Sequence, residues 1–306
     1  MSTDALATLN GPTMGARWSV RLASRRAAPE LSAALQASVD SVDRQMSTWR
    51  PDSELMRLNG AAPGAWVDVG SDLIKVLKIS AEVTAASGGA FDIGVAEAVS
   101  AWGFGPAQGK ADETAIRLAM GRALHSEVEC EPAAGRVRRL NNRLLDLSGV
   151  AKGFAVDQMA EVLRKHGVRG FLAALDGEIV VDGERPDGRP WAVALEEPDP
   201  FRRAGRAVIE VSDRAVATSG DYRHRVQLGA KWLSHTMDPR SGGPACNRLA
   251  SVTVLAADCA RADAWATALM VLGETDGPRL ARSRAVEAIF LIRDDDGFAE
   301  ISTLGI

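Results

Sequence analysis

The sequence predicts a mixed α/β fold of the α+β kind, with residues 1–306 forming a single domain of two interleaved lobes. Three observations carry this expectation. Alternating apolar segments such as Arg17-Trp-Ser-Val-Arg-Leu22 read as strands, whereas Leu31–Met46 and Leu73–Ala86 repeat apolar residues at helical spacing. Closely spaced strand candidates then fill residues 171–219. No low-complexity block, fixed-period repeat or clear linker divides the 306 residues, a length suited to one large unit or two packed lobes.

Taken in order, Gly11–Gly15 precedes the first strand at 17–22, which feeds the helix at 31–46, and Trp49-Arg-Pro-Asp-Ser53 breaks that helix. Gly88-Gly89 ends the helix at 73–86. From Ala107 to Asn142 the chain is polar, with a helix at Glu113–Arg122 and a turn at Asn141-Asn142, and no chemistry attaches to it. The next helix is expected at Phe154–His166, stopped by Gly167. Strands follow at Phe171–Leu175, Ile179–Val181, Trp191–Leu195, Ala207–Val211 and Ala215–Ser219. Beyond them, Trp232–Gly243 reads as a strand ending in a turn, Leu249–Ala256 as a strand, Ala262–Leu272 as a helix and Ala288–Ile292 as a late buried strand.

Composition narrows the function classes. Hydrophobic residues make up 46% and charged residues 25%, and no run of about 18 apolar residues exists to span a bilayer. A formal net charge of -4 argues against a general nucleic-acid partner, and Arg202, Arg203 and Arg206 read as a polar loop. Cys130, Cys246 and Cys259 are too few and too scattered for a disulfide framework or a zinc site. The N-terminus lacks a basic segment followed by an apolar core, which points to a cytoplasmic location; trimming would leave a periplasmic or membrane-anchored one open.

Chemistry concentrates in three segments. Leu145-Asp-Leu-Ser-Gly-Val-Ala-Lys-Gly-Phe-Ala-Val-Asp157 joins an apolar run to an amphipathic helix through a glycine-flanked lysine. Gly149 and Gly153 permit close backbone approach, and Lys152 places a cation where a helix presents unpaired N–H groups, as a phosphate site requires. The plainer alternative has Asp146 and Ser148 capping the helix and Lys152 in water. Asp263 and Thr267 stand four apart on a helix, two hard oxygens suited to magnesium; alternatively they serve the helix dipole and backbone. His235 precedes an Asp-Pro turn that displays Asp238 and Arg240, as a proton shuttle or as a structural histidine.

Seven blocks in order resemble the ApbE family of flavin transferases over nearly the whole chain. They are Thr13-Met-Gly15, Met46-Ser-Thr-Trp-Arg-Pro-Asp-Ser-Glu54, Gly88-Gly-Ala-Phe-Asp92 with Trp102-Gly-Phe-Gly-Pro106, Asp146–Gly153, Thr218-Ser-Gly-Asp221, His235-Thr-Met-Asp-Pro239 and Ala262–Leu269. The resemblance implies a cleft for FAD between the lobes and transfer of FMN from FAD to a Ser or Thr hydroxyl of an acceptor flavoprotein, with magnesium and release of AMP. Magnesium would take Asp263, Thr267 and the carbonyls of Gly149 and Ala266. Met14, Trp49, Ala90, Phe91, Asp92, Asp146, Lys152 and Thr236 would contact FAD. His235 would assist deprotonation of the acceptor hydroxyl, with Asp238 orienting it or taking that role.

Phosphoryl transfer of this kind needs charge neutralisation on the pyrophosphate and an in-line nucleophile. A magnesium-dependent FAD diphosphatase and a flavin-binding protein without catalysis are the alternatives. Ala16 and Gly94 stand where the family usually carries a hydroxyl, and Ala174-Leu-Asp-Gly-Glu178 replaces its Asn-x-Gly-Gly-Asp pattern.

Overall fold

A two-residue turn opens the structure. Strand β1 (Ala7–Thr13) and strand β2 (Ala16–Leu22) form a hairpin through Met14 and Gly15, whose φ angles of 46° and 70° suit the right-handed twist of the flanking strands. The sequence reading placed only β2 here, since Gly11 and Pro12 mask the alternation of β1. Gly11 is in fact required: an added Cβ would lie 2.6 Å from Trp18 Nε1 across the hairpin.

The computed structural model describes residues 6–23, 29–107, 111–121, 123–199, 204–222, 225–228, 231–295 and 297–305. The segment Met1–Ala5, Arg122, and the Arg202 and Arg203 of the expected polar loop lie outside them. Helix α1 (Pro29–Met46) buries Leu31, Leu35, Val39, Val42 and Met46, the three- and four-residue spacing that gives a helix one apolar face. Helix α2 (Glu54–Gly60) starts at Ser53, whose Oγ accepts from the Met56 amide; this short helix is absent from the sequence expectation. Strand β3 (Val67–Asp68) and helix α3 (Ser71–Ala86) lead to helices α4 (Ala96–Ala101) and α5 (Glu113–Ala119). Strands β4 (Val128–Glu131) and β5 (Arg136–Arg139) join β3 in a small antiparallel sheet.

Helix α6 (Ala151–Lys165) begins three residues before the expected start. It is followed by strands β6 (Phe171–Leu175), β7 (Glu178–Asp182), β8 (Trp191–Glu196), β9 (Gly205–Val211) and β10 (Ala215–Gly220). Short pairs β11 (Arg225–Leu228) with β12 (Lys231–Ser234), and β13 (Met237–Asp238) with β14 (Gly243–Pro244), precede strand β15 (Leu249–Ala256). Helix α7 (Cys259–Ser283) outruns the expected Ala262–Leu272 because the chain resumes its coil after a break at Gly273, where φ is 79°. Strands β16 (Glu287–Asp294) and β17 (Gly297–Ser302) complete the fold.

An antiparallel sheet ordered β1-β2-β6-β7-β10-β15-β16-β17 forms the framework. On one face α6 packs against α1 and α7, and α7 covers β10 and β15. The β8–β9 hairpin covers part of the other face, burying Trp191, Val193 and Val211 against Val181 and Val216. Two buried clusters therefore share the strands by alternation: Ala215 faces α6, and Val216 faces the hairpin. Strands β7 and β10 meet at just two residue pairs, Ala215 with Val180 and Val216 with Ile179. Beyond this seam Ala217–Gly220 stay with β15, so the sheet forks. No helix among the described residues is long and apolar enough to cross a membrane.

Candidate active site

A cleft of about 900 Å³ occupies the fork, lined from β7 by Glu178, from β10 by Thr218 and Ser219, and from the helices by Lys152, Asp263 and Thr267. That volume lies near the upper end for small-molecule sites. Helices α6 and α7 cross at its floor, and Gly153 makes the crossing possible. An added Cβ there would stand 2.3 Å from the Cys259 carbonyl oxygen and 2.9 Å from Asp263 Cβ. The sequence reading gave this glycine to phosphate approach; its closest neighbour is instead the other helix.

Each helix is capped by the other. The Gly153 amide, in the first turn of α6, donates to Asp263 Oδ2 at 3.1 Å. In return Asp157 of α6 accepts from the Cys259 and Ala260 amides of α7 at 2.8 and 2.9 Å. First-turn amides have no partner within their own helix, so Asp263 stands in for a local cap at α6 and Asp157 adds to the local cap Asp258 at α7. Asp146 and Ser148 do not cap α6: Asp146 Oδ1 accepts from the Ser148 amide at 2.7 Å, and the residue at the cap position, Val150, offers no side-chain bond. Asn59 fixes the approach to this loop by pairing with both the amide and the carbonyl of Leu145 at 2.8 Å.

Negative charge dominates the cleft floor. Burial pushes the carboxyls of Glu178 and Asp263 above their ordinary range, and for Glu178 the nearby Asp263 adds to the effect. Lys152 Nζ lies 2.6 Å from Asp176 Oδ2. Burial works against its charge, but Glu178, Asp176 and Asp263 together hold the proton on the amine and raise its pKa. Gly149 sits against Thr267, whose Oγ1 would be 3.1 Å from an added Cβ, and Thr267 in turn bonds Ser219 Oγ at 3.2 Å. The Asp263 carboxylate and the Thr267 and Ser219 hydroxyls thus line one part of the cleft beside Gly149, hard oxygens of the kind magnesium takes. Ala266 is buried one turn away and does not line the cleft.

Flat and apolar side chains form the walls. Met14 reaches in from the hairpin turn, Phe91 and Ala90 are buried beside Gly149, and Trp49 stays 56% exposed at the rim. Asp92 lines the cleft, yet its carboxylate already accepts from the Gly94 and Ser126 amides at 2.8 and 3.0 Å and contacts His125 Nδ1 at 2.9 Å. This explains Gly94: a side chain there would press within 3.1 Å of the Ser126 nitrogen. Opposite, His235 stands edge-on to Phe104 with ring centroids 6.4 Å apart, next to buried Thr236. Asp238 does not line the cleft; Arg240 holds both its oxygens, at 2.9 and 3.0 Å. The turn expectation was right and its polarity was not, because the arginine beside it takes the carboxylate.

Twelve of the fourteen residues expected from sequence line the cleft, and they come from the β1–β2 turn, the α1–α2 turn, the loop after α3, the loop and first turn of α6, the segment before β13, and α7. Asp176, Glu178, Ser219 and His125 were missed. Strand alternation puts Glu178 on the face of Val180, but only the fold brings that face under Lys152. His125 belonged to a polar stretch with no motif.

A sequence model described as the ApbE family matches residues 14–290. The chain belongs to the ApbE family. It is similar to the FAD:protein FMN transferase of Vibrio cholerae, with 35% identity over 305 residues covering 96% of this chain and 90% of that one. The FAD:protein FMN transferase of Klebsiella pneumoniae is 33% identical over 298 residues, covering 95% and 85%. Among solved structures, the flavin transferase ApbE from Vibrio cholerae aligns with a TM-score of 0.86 at 33% identity, covering 98% of this chain and 97% of that one. The apo flavinyl transferase ApbE of Pseudomonas stutzeri gives 0.86 at 33%, covering 99% and 97%. The forked sheet and crossed helices of this chain are thus an ApbE-family framework.

Proposed function

We propose that this ApbE-family chain is a magnesium-dependent FAD:protein FMN transferase, working as one catalytic unit on an acceptor flavoprotein. The observation that carries this reading is the meeting of the Gly149–Lys152 loop with Asp263 and Thr267. It sets a cation and a hard-oxygen donor set side by side in a cleft walled by Phe91, Met14 and Trp49.

Asp263, Thr267 and the Gly149 carbonyl, with Ala266 one turn away, would hold magnesium, which supplies charge neutralisation on the pyrophosphate. Lys152 binds a phosphate oxygen of FAD. Met14, Trp49, Ala90 and Phe91 position the flavin, Trp49 by stacking. Asp92 and Asp146 shape the same wall through the hydrogen bonds described above, and buried Thr236 lines it beside His235.

The acceptor Ser or Thr oxygen attacks the FMN phosphorus. A P–O bond forms to the acceptor, the bridging P–O bond breaks, and AMP departs with the electron pair. His235 takes the hydroxyl proton. Asp238, held by Arg240, shapes the turn that carries His235 and leaves the proton to the imidazole.

Incubation with FAD, magnesium and a candidate acceptor flavoprotein tests this. An acceptor mass gain equal to FMN less water, with one AMP per adduct, is expected. FMN accumulating without adduct on every acceptor would replace transfer by hydrolysis, and no turnover of FAD would overturn the enzymatic reading.

A further inference from the structure

Asp176 occupies backbone that most side chains avoid. Its φ is 59°, in the left-handed region that glycine adopts freely and that Asp and Asn tolerate better than most. The tight β6–β7 turn holds it there, with Gly177 pressed toward the Thr218 carbonyl, 3.3 Å from an added Cβ. Glycine or asparagine would satisfy this turn equally well. A carboxylate adds something the turn does not need.

What it adds is a hold on Lys152. The two groups lie 2.6 Å apart, both line the cleft, and their side chains keep 31% and 39% of their surface exposed, so a ligand reaches the pair directly. Among the described residues lining the cleft, Lys152 is the one lysine or arginine, set against six carboxylates: Asp92, Asp146, Asp176, Glu178, Glu196 and Asp263. Whatever anion enters must therefore contend for this ammonium.

We propose that Asp176 is an internal competitor for Lys152: it holds the ammonium in the free cleft, yields it to the phosphates of a ligand, and recaptures it as the product leaves. A partly exposed ion pair is weak, whereas a phosphate offers several charge-assisted bonds, so the exchange runs toward the ligand on entry. The return of Asp176 lowers the cost of freeing a phosphate-bearing product. Asp176 acts through Lys152 and is a positioning residue. The inference rests on the transferase reading for the identity of the ligand, and it concerns affinity, not the bond-making step.

Asp176→Asn and Asp176→Gly both suit left-handed backbone and remove the charge. Without metal, isothermal titration with inorganic pyrophosphate should show binding about three- to tenfold tighter in each variant than in the wild type. Riboflavin, which carries no phosphate, should bind all three proteins alike. Equal or weaker pyrophosphate binding in either variant overturns the inference. A matching change for riboflavin overturns it too, because it would place the effect in cleft shape. Titration of the wild type with FAD separately probes the transferase reading: absence of binding there defeats that reading while the pyrophosphate comparison still decides the role of Asp176.

Discussion

Asp263 of α7 caps α6 through the Gly153 amide, a contact that joins residues 110 apart in sequence. The carboxylate assigned to metal is thus also a structural tie between the crossed helices. Asp263→Ala is expected to lower magnesium-dependent turnover by about a hundredfold or more and to cost stability as well. Asp263→Asn, which keeps an acceptor for the amide, should recover the stability and leave turnover low. Normal magnesium dependence of either variant would remove Asp263 from the metal site.

Gly153→Ala places a methyl against the Cys259 carbonyl, where 2.3 Å is available. The helices must separate, at a cost of about 1–3 kcal/mol or more, and the loop moves away from Thr267. A thermal melt and a turnover assay should fall together; an unchanged melting temperature would refute the close crossing.

Under the proposed mechanism, in which the imidazole serves the acceptor proton and not the flavin, His235→Ala should keep FAD binding and lose about 10²–10⁴ in transfer rate. FAD titration beside the transfer assay separates the two. Unchanged transfer would dismiss the imidazole as base.

Asp157 links stability to pH. Burial pushes its carboxyl from 3.8 up to about 7, although the Cys259 and Ala260 amides pull the other way. With a folded value above the unfolded one, the unfolded chain ionises first as pH rises. Stability from the protonated form is full below about 3.8 and is lost as pH climbs toward 7. Raising the pH from about 5 to about 8 should therefore lower stability by roughly 2–3 kcal/mol, and Asp157→Asn should flatten that slope. A wild-type melting temperature independent of pH over this range would contradict the shift.

Ala16 faces Thr13 across the hairpin, and Thr13 Oγ1 is buried with no hydrogen-bond partner among the described residues. Restoring a hydroxyl with Ala16→Thr should add about 1 kcal/mol of stability, read as a higher melting temperature. A lower one would show that the hairpin end has no room.

Much of this framework is legible in the sequence because it is written in local periods. Leu249–Ala256 is a mostly apolar strand holding only Ser251 and Thr253 as polar residues, α1 repeats every three or four residues, and Gly167 marks where α6 stops. Helix starts were less legible: α6 takes its cap from Asp263 and α7 from Asp157 as well as its own Asp258, and no local pattern reveals the distant partner. The fold class, Lys152, Asp263 and Thr267 were recognisable as motif members. Glu178, Asp176 and Ser219 fell at motif positions but were not recognisable as site residues, since only the fold brings the β6–β7 turn and the β10 strand against α6 and α7. His125 is the extreme case, a residue in an unmarked loop that ends up against Asp92.

The narrow seam between β7 and β10 has a consequence for how this protein is made. The two arms of the sheet are held by two residue pairs there, while the cleft draws on residues from Met14 to Thr267. Contacts of such sequence separation form late, after long loops have closed. Neither arm alone carries all the residues of the cleft, so a chain released before α7 is made presents no complete cleft. Competence arrives with the last closure.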